Sequence, residues 1–228
     1  VHEIIRDVPA LFNELKRTEE RFVGTLSENE VAARLAEEDR VLCIVNTRQQ
    51  ALDVFEALAE SPENIHLSAL MYPAHRTRKL TEVRRRLDPE NNLPCRVVST
   101  QLIEAGVDVD FPCVYRAVSG IDSIAQAAGR CNRNGEHEGP RPVYIFAFPE
   151  EHSCGAFRKA AQSAIKLFER FQGNLTAPAC VREYFSDYFW KNEQRMDGDG
   201  IIQKCMEGQS GEIQFKDIAE FKMIKTAT

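Results

Sequence analysis

Three features that often reveal the class of a protein are missing from this sequence. It has no run of about eighteen apolar residues, so we expect no membrane-spanning helix and no membrane partner. It has seven cysteines but no Cys-x-x-Cys pair, which indicates reduced thiols in a cytoplasmic protein and no metal site. The sequence also has no excess of basic over acidic residues. The net charge of −6 argues against a surface coated in basic residues, although a local basic strip is compatible with it.

The Gly-x-x-x-x-Gly-Lys-Ser/Thr phosphate loop is absent as well. The chain begins at Val1 instead of Met and no signal-peptide pattern follows, so we expect a piece of a longer protein. Its 228 residues suffice for one large soluble domain, or for one domain and an extension. A change in character near Pro149 predicts a domain over residues 1–149, with a lead-in at 1–25, and an extension over 150–228.

Short apolar runs alternate with amphipathic stretches of helical spacing along the first part of the chain. The runs predict strands at 41–45, 65–71, 96–99, 114–118 and 143–148. At the start of the chain we expect a short strand at 2–8 and a helix from Pro9 to about Glu20. Alternating strands and helices predict an α/β fold, with a parallel sheet covered by helices on both faces. Two long amphipathic patterns, at 157–171 and 179–192, predict a mainly helical extension.

The segment Cys95–Gly135 carries the most specific pattern in the chain. A corner at 106–108, Gly-Val-Asp, follows one apolar run, and Gln126, Arg130 and Arg133 follow the next. On a helix these three residues lie at i, i+4 and i+7 and share one face. Two guanidinium groups on one face suit a triphosphate, because arginine stays charged and offers a planar fork to phosphate oxygens. A solvated helix with two surface arginines is the alternative, and the corner upstream favours phosphate binding.

Two stretches of this segment, Val98–Asp110 and Gln126–Arg133, resemble motifs V and VI of superfamily-two helicases. The residues of these two stretches are similar to those of the CRISPR-associated helicase-nuclease of type I systems. Residues 69–76 and 120–132 resemble a type I-C-like subtype, and the whole resemblance covers residues 38–150. It implies the second RecA-like domain of a DNA helicase that unwinds target DNA in CRISPR interference, followed by a helical linker.

The resemblance also implies a cofactor and partners. ATP would bind with Mg²⁺ held by a first RecA-like domain of the same protein. The full protein would also contain a nuclease domain. Neither the Walker lysine nor an Asp-Glu-x-His motif is present, so we expect this chain alone to be inactive as an ATP hydrolase. Single-stranded DNA and a CRISPR surveillance complex are further implied partners. Two alternatives stay open: a protein-docking module that uses Tyr184, Phe189 and Trp190, and a related RNA or repair helicase.

The residues of the two motifs take their nucleotide-site roles from the resemblance. Arg133 would be the arginine finger that stabilises charge on the transferred phosphoryl group, and Arg130 would contact the terminal phosphates. Gly106 would permit the sharp turn before Asp108. That carboxylate would accept from the ribose hydroxyls or from a motif VI arginine. Gln126 would orient the site across the domain cleft.

Nucleic-acid contacts are expected at the carboxyl ends of strands and on a basic helix. Thr47 and Arg48 resemble the motif IV region and would touch the nucleic-acid backbone. Thr100, at the end of its strand, would donate its hydroxyl to a DNA phosphate. On the basic helix, Arg76 and Lys79 are interpreted as phosphate contacts, and the three arginines at its far end as a solvated face. Such contacts carry no sequence information, which suits a translocase.

Overall fold

Six parallel strands form the centre of the molecule, in a computed structural model that describes residues 4–104, 106–149, 155–196 and 200–207. The sheet order is β1-β6-β5-β2-β4-β3, and every neighbouring pair is parallel. In chain order the strands are β1 (Thr18–Thr25), β2 (Arg40–Val45), β3 (Asn64–Leu67), β4 (Cys95–Thr100), β5 (Val114–Ala117) and β6 (Arg141–Ala147). The predicted α/β parallel sheet is confirmed.

Helices connect the strands and continue after the last one. Those of the described residues are α1 (Val8–Glu14), α2 (Glu28–Ala36), α3 (Arg48–Ala57), α4 (Pro73–Leu87), α5 (Ile121–Ala128), α6 (Gly155–Phe168), α7 (Pro178–Met196) and α8 (Ile201–Glu207). A short 3₁₀ turn, Gln101–Ile103, follows β4. Capping boxes fix the start of α2 and of α3, since Ser27 and Thr47 each accept from the backbone N–H three residues on.

The central strand β2 is covered on both faces. Val41, Cys43 and Val45 pack into the main hydrophobic cluster with residues of α2 and α3. Leu42 and Ile44, which alternate with them, are also fully buried. A strand buried on both faces is typical of a parallel sheet between helix layers. This packing fixes the carboxyl ends of β2, β4 and β5 side by side at one edge.

The expectation for the first residues of the chain is wrong in detail. The short strand and long helix are replaced by the helix α1 and by β1, an edge strand parallel to β6. β1 carries no apolar run because its buried side chains include Glu20. The carboxylate of Glu20 accepts hydrogen bonds from the Thr18 hydroxyl (2.8 Å) and the Leu175 backbone N–H (3.0 Å). Glu20 is therefore a buried polar residue of a strand, and the backbone N–H group that binds its carboxylate lies 155 positions along the chain.

The chain divides into two compact units, residues 1–184 and 185–228. In the first unit α6 buries Leu167 and Phe168, and the Phe168 ring lies 4.8 Å from the ring of Phe22. The second unit holds the end of α7 and all of α8; its residues 197–199 and 208–228 lie outside the described ranges. The predicted domain boundary at Pro149 stays a prediction. No helix in the described ranges is long and apolar enough to cross a membrane.

Candidate functional site

The turn after β4 places an exposed carboxylate at the edge of the sheet. The 3₁₀ turn leads to Gly106, whose φ is +71°, and then to the exposed Asp108. A Cβ at Gly106 would meet no atom within 4 Å, so its backbone conformation, and not lack of space, requires glycine. This conformation agrees with the expected sharp turn before Asp108. Ala105 lies outside the described residues.

The prediction that Gln126, Arg130 and Arg133 share a helical face is wrong. α5 ends at Ala128, so Gln126 lies exposed in its last turn and both arginines lie beyond the helix. Asn132 has a φ of +48°, a left-handed conformation that cannot continue an α-helix. The segment turns there, and Arg133 points from a loop instead of from a helix.

Backbone hydrogen bonds join the loop after α5 to the loop after β4. The Phe111 N–H donates to the Arg130 carbonyl at 2.9 Å, and the Asn132 N–H donates to the Phe111 carbonyl at 3.1 Å. Asp110 adds its carboxylate, which accepts from the backbone N–H groups of Arg133 and Asn134, both at 2.8 Å. The two motif segments are therefore held as one unit.

Arg130 lies inside this unit. The residue is 8% exposed, and its guanidinium donates to the carbonyls of Ile103 at 3.0 Å and Glu104 at 2.6 Å. Burial lowers the pKa of Arg130 from its ordinary value. In this structure, therefore, the guanidinium clamps the motif VI loop to the motif V turn. Its expected contact with the terminal phosphates stays a prediction.

Arg133 is the exposed arginine of the pair. Its Nε lies 3.2 Å from Oδ1 of Asp108, and the two side chains are 44% and 80% exposed. The Arg17 guanidinium contacts the Arg133 carbonyl. A cleft of about 580 Å³ opens beside Arg133 and Gly129, with Arg17 also on its wall. An ion pair this exposed contributes little stability, so the arginine is free to exchange its partner.

A buried polar cluster lies behind the two motifs. Arg116 is fully buried in the middle of β5, and its Nε lies 2.8 Å from Oε1 of Glu104, which is also buried. Burial raises the pKa of the Glu104 carboxyl, and the nearby guanidinium opposes that shift. The Nη1 of Arg116 donates to Oδ1 of Asn46 and to the Ala117 carbonyl, both at 2.7 Å. Leaving either ion without the other would cost about 3–5 kcal/mol.

The expected nucleic-acid residues lie at the same edge, in different states of exposure. Val45 and Thr100, the last residues of β2 and β4, are paired in register, and Thr47 follows β2 two residues later. The Thr47 hydroxyl accepts from the Gln50 N–H at 3.1 Å, which leaves its own proton available to donate. Arg48 is exposed at the start of α3, whereas Thr100 is only 8% exposed.

The basic helix α4 separates its charges into two groups. Arg85 and Arg86 both pair with Glu82, at 2.8 and 2.6 Å. The side chains of Arg76 and Lys79 make no hydrogen bond or ion pair among the described residues, and both residues are partly exposed. The arginines at the far end are therefore occupied, and the two residues expected to meet DNA are not.

Comparisons with known proteins show which proteins this chain is similar to. Residues 37–136 match the family model described as CRISPR-associated nuclease/helicase Cas3, C-terminal. A Cas3 nuclease/helicase of Methanothermobacter thermautotrophicus is 27% identical over 203 residues, which are 87% of this chain and 23% of that protein. Residues 37–136, less than half of the chain, are therefore similar to the C-terminal part of Cas3 nuclease/helicases.

Solved structures of known proteins share the fold of this chain. T. fusca Cas3 with ATP is 17% identical with a TM-score of 0.60, covering 84% of this chain and 26% of that one. A chain of a CRISPR RNA-guided surveillance complex, pre-nicking, is 17% identical with a TM-score of 0.57, covering 90% and 27%. The RecA-like fold is thereby confirmed. The chain spans about a quarter of the length of these relatives, and the type I-C-like subtype stays a prediction.

Sequence reasoning missed the residues that support the candidate site from within. Asp110, Arg116 and Asn46 received no role, although the first two stand in or beside the segments that carry the motifs. The signal for Arg116 is a charge inside the apolar run 114–118. No group of three or more His, Cys, Asp or Glu side chains in the described part of the chain is placed to hold a metal ion.

Proposed function

We propose that this chain is the C-terminal motor half of an ATP-dependent helicase that unwinds target DNA in CRISPR interference. The family match supports the helicase assignment, and a CRISPR-associated one over an RNA or repair helicase. The observation that carries the mechanism is the exposed Arg133–Asp108 pair on a loop that hydrogen bonds hold to the motif V turn.

In this proposal Arg133 faces a nucleotide that another domain brings. T. fusca Cas3 has been solved with ATP, and the same cofactor is proposed here. The phosphate loop and the Mg²⁺ ligands would belong to the first RecA-like domain, since this sequence has no phosphate loop. On nucleotide binding, Arg133 would leave Asp108 for the phosphoryl group. Asp108 would then be free to accept from the ribose hydroxyls, Gln126 would orient the cleft, and this chain alone would be inactive.

Single-stranded DNA would pass over the carboxyl edge of the sheet. Thr47 and Arg48 would contact its phosphates there, and Arg76 and Lys79 would contribute charge from α4. Thr100 would reach DNA only through the small exposed part of its side chain. A surveillance complex is proposed as the partner that delivers the DNA, because a related chain belongs to one.

The decisive experiment replaces Arg133 in the full-length protein. Arg133→Ala should lower DNA-stimulated ATP hydrolysis by about 10³-fold, because an arginine finger acts on the transition state. Binding of a fluorescent ADP analogue should change little. Arg21→Ala removes another exposed, carboxylate-paired arginine and is the matched control. Turnover equal to that of the wild type in Arg133→Ala would refute the assignment.

A docking role for the extension is a second candidate. Of the three aromatic residues assigned to it, Tyr184 is buried, whereas Phe189 and Trp190 are 45% and 78% exposed. An exposed tryptophan is a frequent anchor at protein interfaces. The exposure of Trp190 therefore favours a protein contact on α7 in addition to the motor role.

A further inference from the structure

The buried guanidinium of Arg116 is the least expected group in the sheet. It stands in the four-residue strand β5, in register with Ile44 of β2 and Ile145 of β6, at a position where an apolar side chain fits the surroundings. A buried ion pair contributes little net stability, and well-packed apolar residues often replace one without loss. Stability alone therefore gives a poor account of this residue.

The contacts of Arg116 lead to three separate chain segments. Nη1 donates to Asn46, the residue directly after β2, and Nε faces Glu104, in the turn after β4. Asn46 in turn donates from Nδ2 to the Val118 carbonyl at 2.8 Å, just after β5. The planar guanidinium thus sets the distance between the ends of three neighbouring strands. Nη2 is buried and has no hydrogen-bond partner in the part of the chain that the structure describes.

Each end of this cluster continues into the proposed site. On the DNA side, Oε1 of Gln50 accepts from the backbone N–H groups of Asn46 (3.2 Å) and Thr47 (3.1 Å), so the corner moves as one piece. On the nucleotide side, the Glu104 carbonyl accepts from Nη2 of Arg130 at 2.6 Å. A continuous hydrogen-bonded and ion-paired path therefore joins the corner at Thr47 to Arg130 in the motif VI segment.

We propose that Arg116 is a positioning residue that couples the DNA-contacting corner after β2 to the nucleotide-facing loops of motifs V and VI. The proposal rests on the proposed helicase function and adds Arg116 and Asn46, which lie outside both motif segments. When DNA displaces the Thr47 corner, Asn46 moves with it. The guanidinium transmits that movement to Glu104 and hence to the loop that carries Arg130. Arg116 touches neither ligand, so it acts only through this linkage.

The test removes both charges together, since either one alone would be left buried and unpaired. In the full-length protein, the double variant Arg116→Met/Glu104→Met keeps the core apolar and of similar volume. We expect its melting temperature and its ATP hydrolysis without DNA to stay close to the wild-type values. The stimulation of hydrolysis by single-stranded DNA should fall about tenfold or more, within the usual range of coupling between sites.

Two further variants separate coupling from general damage. Arg96→Met removes a guanidinium that bonds Glu63 and the carbonyls of Leu35 and Glu38, near the opposite end of the sheet, and it should leave DNA stimulation intact. Asn46→Ser breaks the path without touching the buried ion pair. It should therefore lower stimulation even where the double variant fails to fold.

The outcomes separate the two proposals. Full stimulation in Asn46→Ser, or in a folded double variant, would overturn the coupling role of Arg116, and so would an equal loss in Arg96→Met. Absence of DNA stimulation in the wild-type protein would instead refute the helicase function itself, and the coupling proposal with it. A selective loss of stimulation with unchanged basal hydrolysis supports both.

Discussion

Asp110 offers a direct way to ask whether the backbone around Arg133 must be held in place. Its two carboxylate oxygens accept from the N–H groups of Arg133 and Asn134, each at 2.8 Å, and Asp110→Ala removes both bonds. A hydrogen bond to a charged acceptor contributes about 1.5–3 kcal/mol. Because the site is partly exposed, we take the lower value for each bond, which gives about 3 kcal/mol for the pair.

The kinetic consequence follows from the same figure. If that free energy keeps Arg133 aimed at the nucleotide, its loss lowers kcat of DNA-stimulated hydrolysis by about 10²-fold, since each 1.4 kcal/mol is a factor of about ten. Asp110→Asn retains one carbonyl oxygen as an acceptor, so we expect an intermediate loss of about tenfold. The partly exposed Asp53, which accepts a hydrogen bond from Gln49 on α3, supplies the control variant Asp53→Ala.

The measurement is steady-state ATP hydrolysis by the full-length protein with saturating single-stranded DNA. Urea unfolding of the same variants reports whether the fold is kept. The reasoning fails if Asp110→Ala hydrolyses ATP within twofold of the wild-type rate while Arg133→Ala is inactive. In that case the bonds between Phe111 and its two partners would suffice to hold the loop.

Two further predictions concern titration and salt. Burial raises the pKa of Glu20 above 4.5, so the folded state stays protonated at pH values where the unfolded chain is ionised. The free energy of unfolding should therefore fall as pH rises from about 4.5 through the folded pKa. Glu20→Gln should flatten this slope in urea titrations, and a slope equal to the wild-type one would contradict it. Separately, Arg76→Ala and Lys79→Ala should each lower the salt slope of DNA binding by about one, whereas Arg85→Ala should not; equal slopes would argue against phosphate contacts.

The sheet was predictable because its inner strands are apolar on both faces. β2 appears as a continuous apolar run and β4 as a shorter one at Val97 and Val98, and parallel topology follows from their alternation with helices. β1 was not predictable in this way. The carboxylate of its buried residue Glu20 accepts a hydrogen bond from the Leu175 N–H, and no local sequence pattern predicts a partner so far along the chain.

The candidate site shows the same division between local and non-local information. The Gly106 turn is a local property of the backbone, and the sequence was sufficient to predict it. The position of Arg133 depends instead on a left-handed Asn132 and on the bridge between Phe111 and Cys131, segments about twenty residues apart. Helical spacing therefore selected the relevant residues but placed Arg130 and Arg133 on a helix that ends before them.

Arg116 shows what a non-local rule adds. Carboxyl ends of parallel strands meet at one edge, so the chain just after β2, β4 and β5 is brought together whatever its sequence. A charge placed inside the last of these strands must find partners among those ends, because a buried guanidinium without them is too costly to keep. Asn46 and Glu104 are such partners. A charged residue in an apolar run between two motif-bearing turns therefore indicates a shared site. Which side chains pair with that charge depends on packing and is not visible in the sequence.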